Sequence, residues 1–206
     1  PSSAASDVYK RQLSDSQPVA GNDSPKSPNR ILFVGALSSY HNDFLYKQVN
    51  SPRSYDIVLY GSGLETEKLE GKVDYKGFVS SDELIATAEG EYGLAWYGSS
   101  LEGGSGALGE YLQYNAPHKM SLYIRCGLPI IVWEKAGLAP FVKKNNVGIC
   151  ISSLTELEDI LPKISAGQYM EMKKNVLQIA DKLSHGYYCF KAIKQACADL
   201  GVEIKG

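Results

Sequence analysis

From Ile31 onward the sequence predicts an α/β domain, a parallel sheet flanked by helices, and three observations carry that reading. Short apolar runs alternate with segments of helical or turn character, the rhythm of repeated β-α units. Two of the runs end in glycine-bearing turns, at Gly35 and at Tyr60-Gly61-Ser62-Gly63, where a strand hands over to a loop. The stretch from Tyr111 to Glu134 reads as loop, helix and strand in succession. Together they describe a Rossmann-like sheet.

The strands expected in order are 31–34, 56–60, 75–78, 92–97, 129–133 and 147–151, each β-branched or aromatic and bounded by turn residues. Helices fill the intervals at 42–49, 82–87, 118–126, 138–144 and 155–164. Ser81 is placed to cap the second of these, and Ser153 with Glu156 has the spacing of a capping box. After Ala166 the apolar positions Met170, Val176, Ile179 and Leu183, then Phe190 and Ile193, keep helical spacing to the end. Two terminal helices are expected to pack back on the sheet. Residues 98–109, with five glycines, read as a loop that closes over a ligand or simply connects two elements.

The composition narrows the function classes. With 206 residues, 44% of them hydrophobic and 21% charged, the chain suits one globular core, which is assigned to residues 31–206. Residues 1–30 are rich in Ser, Asp, Asn and Pro and read as a disordered or artefactual tail. Their opening Pro-Ser-Ser-Ala-Ala-Ser-Asp-Val-Tyr-Lys-Arg-Gln resembles translated adapter sequence, and without an initiator Met the chain reads as truncated. A net charge of −2 and a pI near 6.0 give no basic surface for a nucleic-acid partner. The four scattered cysteines lack zinc-site or disulfide-framework spacing and read as free thiols. No apolar run approaches the length of a spanning helix, and a cytoplasmic location is expected.

The segment Tyr111-Leu-Gln-Tyr114-Asn115-Ala-Pro117-His118-Lys119-Met-Ser121-Leu-Tyr123 is the most informative. Asn115 sits where a cap belongs, and Pro117 is tolerated at the start of a helix. Gly127 supplies a left-handed stop, and Pro129 opens the next strand. In a right-handed crossover this helix begins at the carboxyl edge of the sheet, where open α/β sheets bind ligands. Free N–H groups, the helix dipole and the Lys119 ammonium then form a cradle for a diphosphate. Read one by one, Lys119 is an ordinary solvated lysine and His118 a structural histidine; their joint position at a helix start favours function. Neither glycine turn has G-x-G-x-x-G spacing, so a hydride-transfer cofactor is disfavoured. No Asp-x-Asp motif and no cluster with metal-ligand spacing occurs, so no metal or cofactor is expected.

With these residues in view, the chain resembles the carboxyl-terminal, nucleotide-sugar-binding domain of GT-B glycosyltransferases, in particular galactofuranosyltransferase-like and streptococcal glucosyltransferase-3-like proteins. The string Gly109-x-Tyr111-x-x-Tyr114-Asn115-x-Pro117-His118-Lys119-x-Ser121-x-Tyr123, the following Gly127-Leu-Pro129-Ile-Ile-Val-Trp133 and the segment opening at Gly186 carry the resemblance, which runs from about Ile31 to Ala196. It implies the second half of a GT-B fold and a donor nucleotide sugar, UDP-linked, whose sugar passes to a hydroxyl of a glycan or glycoprotein. It also implies self-association. On that basis Lys119 pairs with donor phosphate, Tyr114, Asn115 and His118 shape the same pocket, and the loop holding Gly35 and Ser38 faces the diphosphate. Tyr60 and Gly61 lie near base or ribose, and backbone groups around Gly77 and Phe78 meet the uracil edge. Catalytic residues remain unassigned, because the acceptor and commonly the base belong to an amino-terminal domain.

Three positions depart from the family pattern. Leu122 stands where many retaining members hold the ribose with glutamate. Tyr97 follows Trp96 where close relatives carry aspartate, and the turn Gly35-Ala-Leu-Ser-Ser lacks the usual basic residue. Two other readings stay open: a catalytically silent GT-B-like partner subunit, and one half of a nonhydrolysing sugar-nucleotide epimerase.

Overall fold

A computed structural model describes residues 29–103 and 106–201, the side chains of 106–108 excepted. Of the tail read over residues 1–30, residues 1–28 lie outside the described residues, as do the last five of the chain, while Arg30 is the first residue of the first strand. The chain runs β1 (Arg30–Ala36), α1 (Ser39–Asn50), β2 (Asp56–Ser62), β3 (Asp74–Tyr75), α2 (Ser81–Thr87), β4 (Tyr92–Ala95), α3 (Gly106–Tyr111) and α4 (His118–Arg125). It continues through β5 (Ile130–Trp133), α5 (Ala139–Asn145), β6 (Gly148–Ile151), α6 (Leu157–Ile160), α7 (Ala166–Ser184) and α8 (Tyr187–Asp199).

All six strands pair in parallel in the order β3-β2-β1-β4-β5-β6. The strands are continuous apolar runs because both faces of the sheet are covered. On one face Leu32, Val58 and Val132 pack with Leu84 and Ile85 of α2, Tyr123 of α4, Val142 of α5 and Val176 and Leu183 of α7. On the other, Ile31, Phe33, Leu59 and Leu94 pack with Phe44, Leu45 and Val49 of α1, Leu157 of α6 and Tyr169 of α7. The order reverses between β1 and β4, which start neighbouring crossovers in opposite directions and leave a crevice at their carboxyl ends.

Several local expectations change. The loop read over 98–109 contains a helix, α3, and its first part is anchored: the Trp96 indole N–H donates to the Ser100 carbonyl (3.0 Å), and Leu154 N–H to that of Leu101 (2.8 Å). The helix read over 155–164 is broken into a 3₁₀ turn (Leu154–Glu156), α6 and a second 3₁₀ turn (Leu161–Lys163), since Pro162 has no N–H to continue the ladder. Ser80, not Ser81, caps α2 by accepting from Glu83 N–H (3.2 Å). The Ser153–Glu156 capping box is present, opening the first 3₁₀ turn. Strand β3 stops at Tyr75, because after Lys76 N–H donates to the Leu59 carbonyl the chain turns at Gly77 with φ +76°.

The tips of β1 and β2 meet glycine to glycine. Gly35 and Gly61 are register partners, with φ of +134° and +143°, and a Cβ on Gly61 would lie 1.8 Å from the Gly35 carbonyl oxygen. Gly61→Ala is expected to destabilise the fold by about 2–4 kcal/mol, through positive φ and a backbone clash together. Gly77→Ala, with nothing within 4 Å of its added carbon, should cost only about 1 kcal/mol of conformational strain. Urea unfolding of both variants checks the difference.

Candidate functional site

The crevice between β1 and β4 is built by one helix. Their ladder holds only Ile31 to Tyr92 and Leu32 to Gly93. Beyond it the Tyr123 hydroxyl stands in: it accepts from Val34 N–H (3.0 Å) and donates to the Leu94 carbonyl (2.9 Å). Its ring fits because residue 93 is glycine, where a Cβ would come within 2.3 Å of the ring. Complete burial pushes the Tyr123 phenol well above its ordinary range, so the hydroxyl stays protonated as a donor.

One turn earlier on α4, at i−4 and hence on the same side, is Lys119. It is only 9% exposed. Its ammonium lies 4.0 Å from the ring centroid of Phe33 and 4.0 Å from that of Tyr97, and a Cβ on Gly35 would be 3.9 Å from Nζ. The helix neighbours of Lys119 pack on one face of the sheet, whereas Phe33 and Tyr97 belong to the core of the other. The side chain therefore crosses between the strand tips that Tyr123 bridges. No carboxylate of the described residues forms an ion pair with it, and burial alone lowers its pKa to about 7. Two aromatic faces supply about 0.5–2 kcal/mol each, less than the desolvation of an ammonium demands.

The α4 amino end differs from the sequence expectation. Its N-cap is Pro117, not Asn115, and no side chain caps it. Asn115 instead donates its backbone N–H to the Tyr111 carbonyl (2.9 Å), closing the α3 end, and is half-buried. Tyr114 on the same connecting segment and His118, the first residue of α4, are both exposed. Along the other strand tips Gly61 N–H donates to the Gly77 carbonyl (2.8 Å), and the Tyr75 hydroxyl to the Gly61 carbonyl (3.0 Å). Gly35, Gly61 and Gly77 thus form a continuous row, with Ser38 at the start of α1 above it, where Leu37 N–H holds the Ser62 carbonyl (2.8 Å). Phe78 projects from the row, 77% exposed. Tyr60 does not join it by its side chain: the ring is buried in the α2/α4 side of the core, leaving only backbone near the tip.

Phe33 is a site residue that sequence reasoning did not name, and Tyr97 and Tyr123 entered it only as a departure from the family pattern and as the end of the motif string, with no role at the site. A signal existed for Tyr123, a tyrosine in a helix run whose hydroxyl needs a buried partner. Asn42 is a fourth: it kinks α1 and donates from Nδ2 to the Ala36 carbonyl (2.8 Å), while Phe44 N–H holds the Gly98 carbonyl (3.2 Å). These bonds fix the β1 and β4 loops on either side of the crevice. Among the described residues no group of three or more His, Cys, Asp or Glu is placed to hold a metal ion, and no helix is long and apolar enough to cross a membrane.

A parallel sheet in the order 3-2-1-4-5-6, covered on both faces, defines the doubly wound, Rossmann-type class, and the relatives of this chain make it the carboxyl-terminal domain of a GT-B glycosyltransferase. Residues 31–196 match the family model described as Glucosyltransferase 3-like, C-terminal domain, and the chain belongs to that family. It is 31% identical over 199 residues to the beta-1,6-galactofuranosyltransferase WbbI of Escherichia coli (strain K12), covering 95% of this chain and 54% of that protein. It is 28% identical over 177 residues to Glucosyltransferase 3 of Streptococcus gordonii, covering 85% and 50%. The chain thus spans about half the length of the curated relatives it matches. In fold it is similar to the crystal structure of TarM, with TM-score 0.57 and 11% identity over 91% of this chain and 37% of that one. It is also similar to Anabaena Alr3699/HepE in complex with UDP-glucose, with TM-score 0.53 and 13% identity over 82% and 48%.

The buried lysine makes a stability prediction. In the folded protein it titrates near 7, whereas the unfolded chain keeps the ordinary value of about 10.4. Between those pH values the unfolded state holds more protons, so this group's destabilising effect is full below pH 7 and fades as pH rises toward 10. Lys119→Met should therefore raise stability by about 1–3 kcal/mol at pH 6 and by much less at pH 9.5. Thermal melts across that range read the result.

Proposed function

We propose that this domain holds the diphosphate of a nucleotide sugar, UDP-linked, at the β1/β4 crevice, and that the whole protein transfers the sugar to a glycan or glycoprotein hydroxyl. The single observation that carries this reading is the Lys119 ammonium, buried beside Gly35 without an anionic partner among the described residues. A buried cation with no counter-ion is unfavourable unless a ligand supplies one. The diphosphate does so. Its oxygens take the lysine on one side and main-chain N–H groups of the Gly35–Ser38 turn and the α4 start on the other.

The remaining parts follow from that anchor. The base and ribose extend along the glycine row, over Gly61 and Gly77, with Phe78 at the outer end and Tyr60 supporting the row from beneath. Glycines there let a planar base approach main-chain donors and acceptors. Tyr114, Asn115 and His118 border the sugar side. In the transfer step the protein's task on this side is electrostatic: negative charge grows on the leaving diphosphate, and a cation held in a low-dielectric crevice stabilises it more than one in water. The names of the relatives, a galactofuranosyltransferase and glucosyltransferases, support a hexose donor and leave the particular sugar open. Because the chain spans half of those relatives, it is expected to bind nucleotide and transfer nothing unaided.

Isothermal titration of the chain with UDP at pH 7 tests this directly. Binding in the micromolar to millimolar range is expected, with Lys119→Ala at least tenfold weaker, as for a lost charge-assisted contact. Lys174→Ala, on the outer surface of α7, should bind as the parent does. Unchanged affinity in Lys119→Ala removes the phosphate assignment, and sugar transfer by this chain in a radiolabelled UDP-sugar assay overturns the division of labour.

A further inference from the structure

We infer that Phe33 and Tyr97 are positioning residues that hold Lys119 as a proton-accepting anchor, so that binding of a diphosphate at the crevice draws a proton into the protein. The inference rests on the nucleotide reading above and extends it to regulation by pH. Its footing is geometric. The ammonium sits 4.0 Å from two ring centroids, one contributed by β1 and the other by the segment after β4, in a gap kept at a fixed width by the Tyr123 hydroxyl. Aromatic faces attract a cation but neither neutralise it nor accept its proton. They leave the charge of the ammonium uncompensated.

The contacts at Nζ among the described residues come from β1 and the segment after β4. β1 contributes Phe33 and Gly35, the segment after β4 contributes Tyr97, and α4 itself contributes Tyr123, a phenol held protonated by burial. His118, the residue before it on α4, is exposed. No carboxylate pairs with Lys119 among the described residues. Burial brings the free amine to a pKa of about 7, so above neutrality it is mostly uncharged until an anion arrives. A diphosphate then stabilises the ammonium, the amine takes one proton from solvent, and no bond is otherwise made or broken. A terminal phosphate loses its last proton near pH 6, so between pH 7.5 and 9 the ligand's own charge is constant.

The test is titration of UDP into the chain at pH 7.5, 8.0, 8.5 and 9.0, repeated in buffers of differing ionisation enthalpy. Expected is a fall in affinity approaching tenfold per pH unit, with net uptake approaching one proton by pH 8. Lys119→Arg, always charged, should bind with a flat pH profile and no uptake. Tyr97→Leu, at a half-buried site that should still fold, wets the amine and should flatten the profile while binding persists; Phe33→Leu should act the same way. A flat profile in the parent, or a slope unchanged in Lys119→Arg or Tyr97→Leu, overturns the inference while leaving the nucleotide reading intact. If UDP does not bind at any pH, that reading falls separately. The clamp is then judged by the Lys119 ¹³Cε NMR titration of the free chain: a midpoint near 7 that moves toward 10 in Tyr97→Leu supports it, and an ordinary lysine midpoint in the parent refutes it.

Discussion

The hydroxyl of Tyr123 is the interaction on which the rest of this domain depends. Strands β1 and β4 must stay in one sheet yet diverge at their carboxyl ends, and their main chains pair only as far as Leu32 and Gly93. Past that point Val34 N–H and the Leu94 carbonyl would face each other across a gap too wide for a direct bond. One side chain that both accepts and donates closes the account for both groups, as buried backbone requires. Glycine at 93 then has a purely steric cause, because the Tyr123 ring occupies the space of its Cβ. The same anchored helix aims Lys119 through the gap. Register of the helix, width of the crevice and position of the cation therefore share one determinant.

That arrangement sets stability against function. A lysine desolvated to a pKa of about 7 with no carboxylate paired to it among the described residues is a net loss for the free protein, and an aliphatic side chain of similar length would fill the same volume without penalty. Sites that bind anions accept such losses because the ligand recovers them. The glycine row at 35, 61 and 77 is a second concession of the same kind. Glycine carries a larger entropy of ordering than any other residue, but here it lets β1 and β2 touch through a carbonyl and leaves main-chain groups open along the strand tips.

Much of the fold was legible in the sequence, for a physical reason. A parallel sheet buried on both faces imposes continuous apolar runs such as Ile31–Phe33 and Ile130–Val132, and these stand out without any knowledge of partners. What could not be read depends on contacts far apart in the chain. The two-residue β3 is set by how β2 holds Lys76, α3 lies in a glycine-rich stretch that has little intrinsic preference for helix, and Pro117 replaces Asn115 as the α4 cap because Asn115 is committed to the preceding turn. The site divides in the same way. Lys119 was visible because its position after a strand and at a helix start is a local fact, whereas Phe33 and Tyr97 lie 86 and 22 residues from it in sequence. Tyr60 misled for the opposite reason: it sits at a strand tip, but the alternation of side chains turns its ring into the core.

The identity of residue 97 ties these threads together. An aspartate there would put a carboxylate where the Tyr97 ring now faces Nζ, and the two charges would pair. Pairing would fix the lysine as an ammonium at every pH near neutrality and leave it a partner that any incoming phosphate must displace. A tyrosine offers the cation a polarisable face instead. The attraction is strong enough to orient the side chain and too weak to satisfy its charge. The Gly35 turn holds no basic residue, so under the proposed diphosphate reading Lys119 is the side chain of the described crevice that gains its charge when the anion binds.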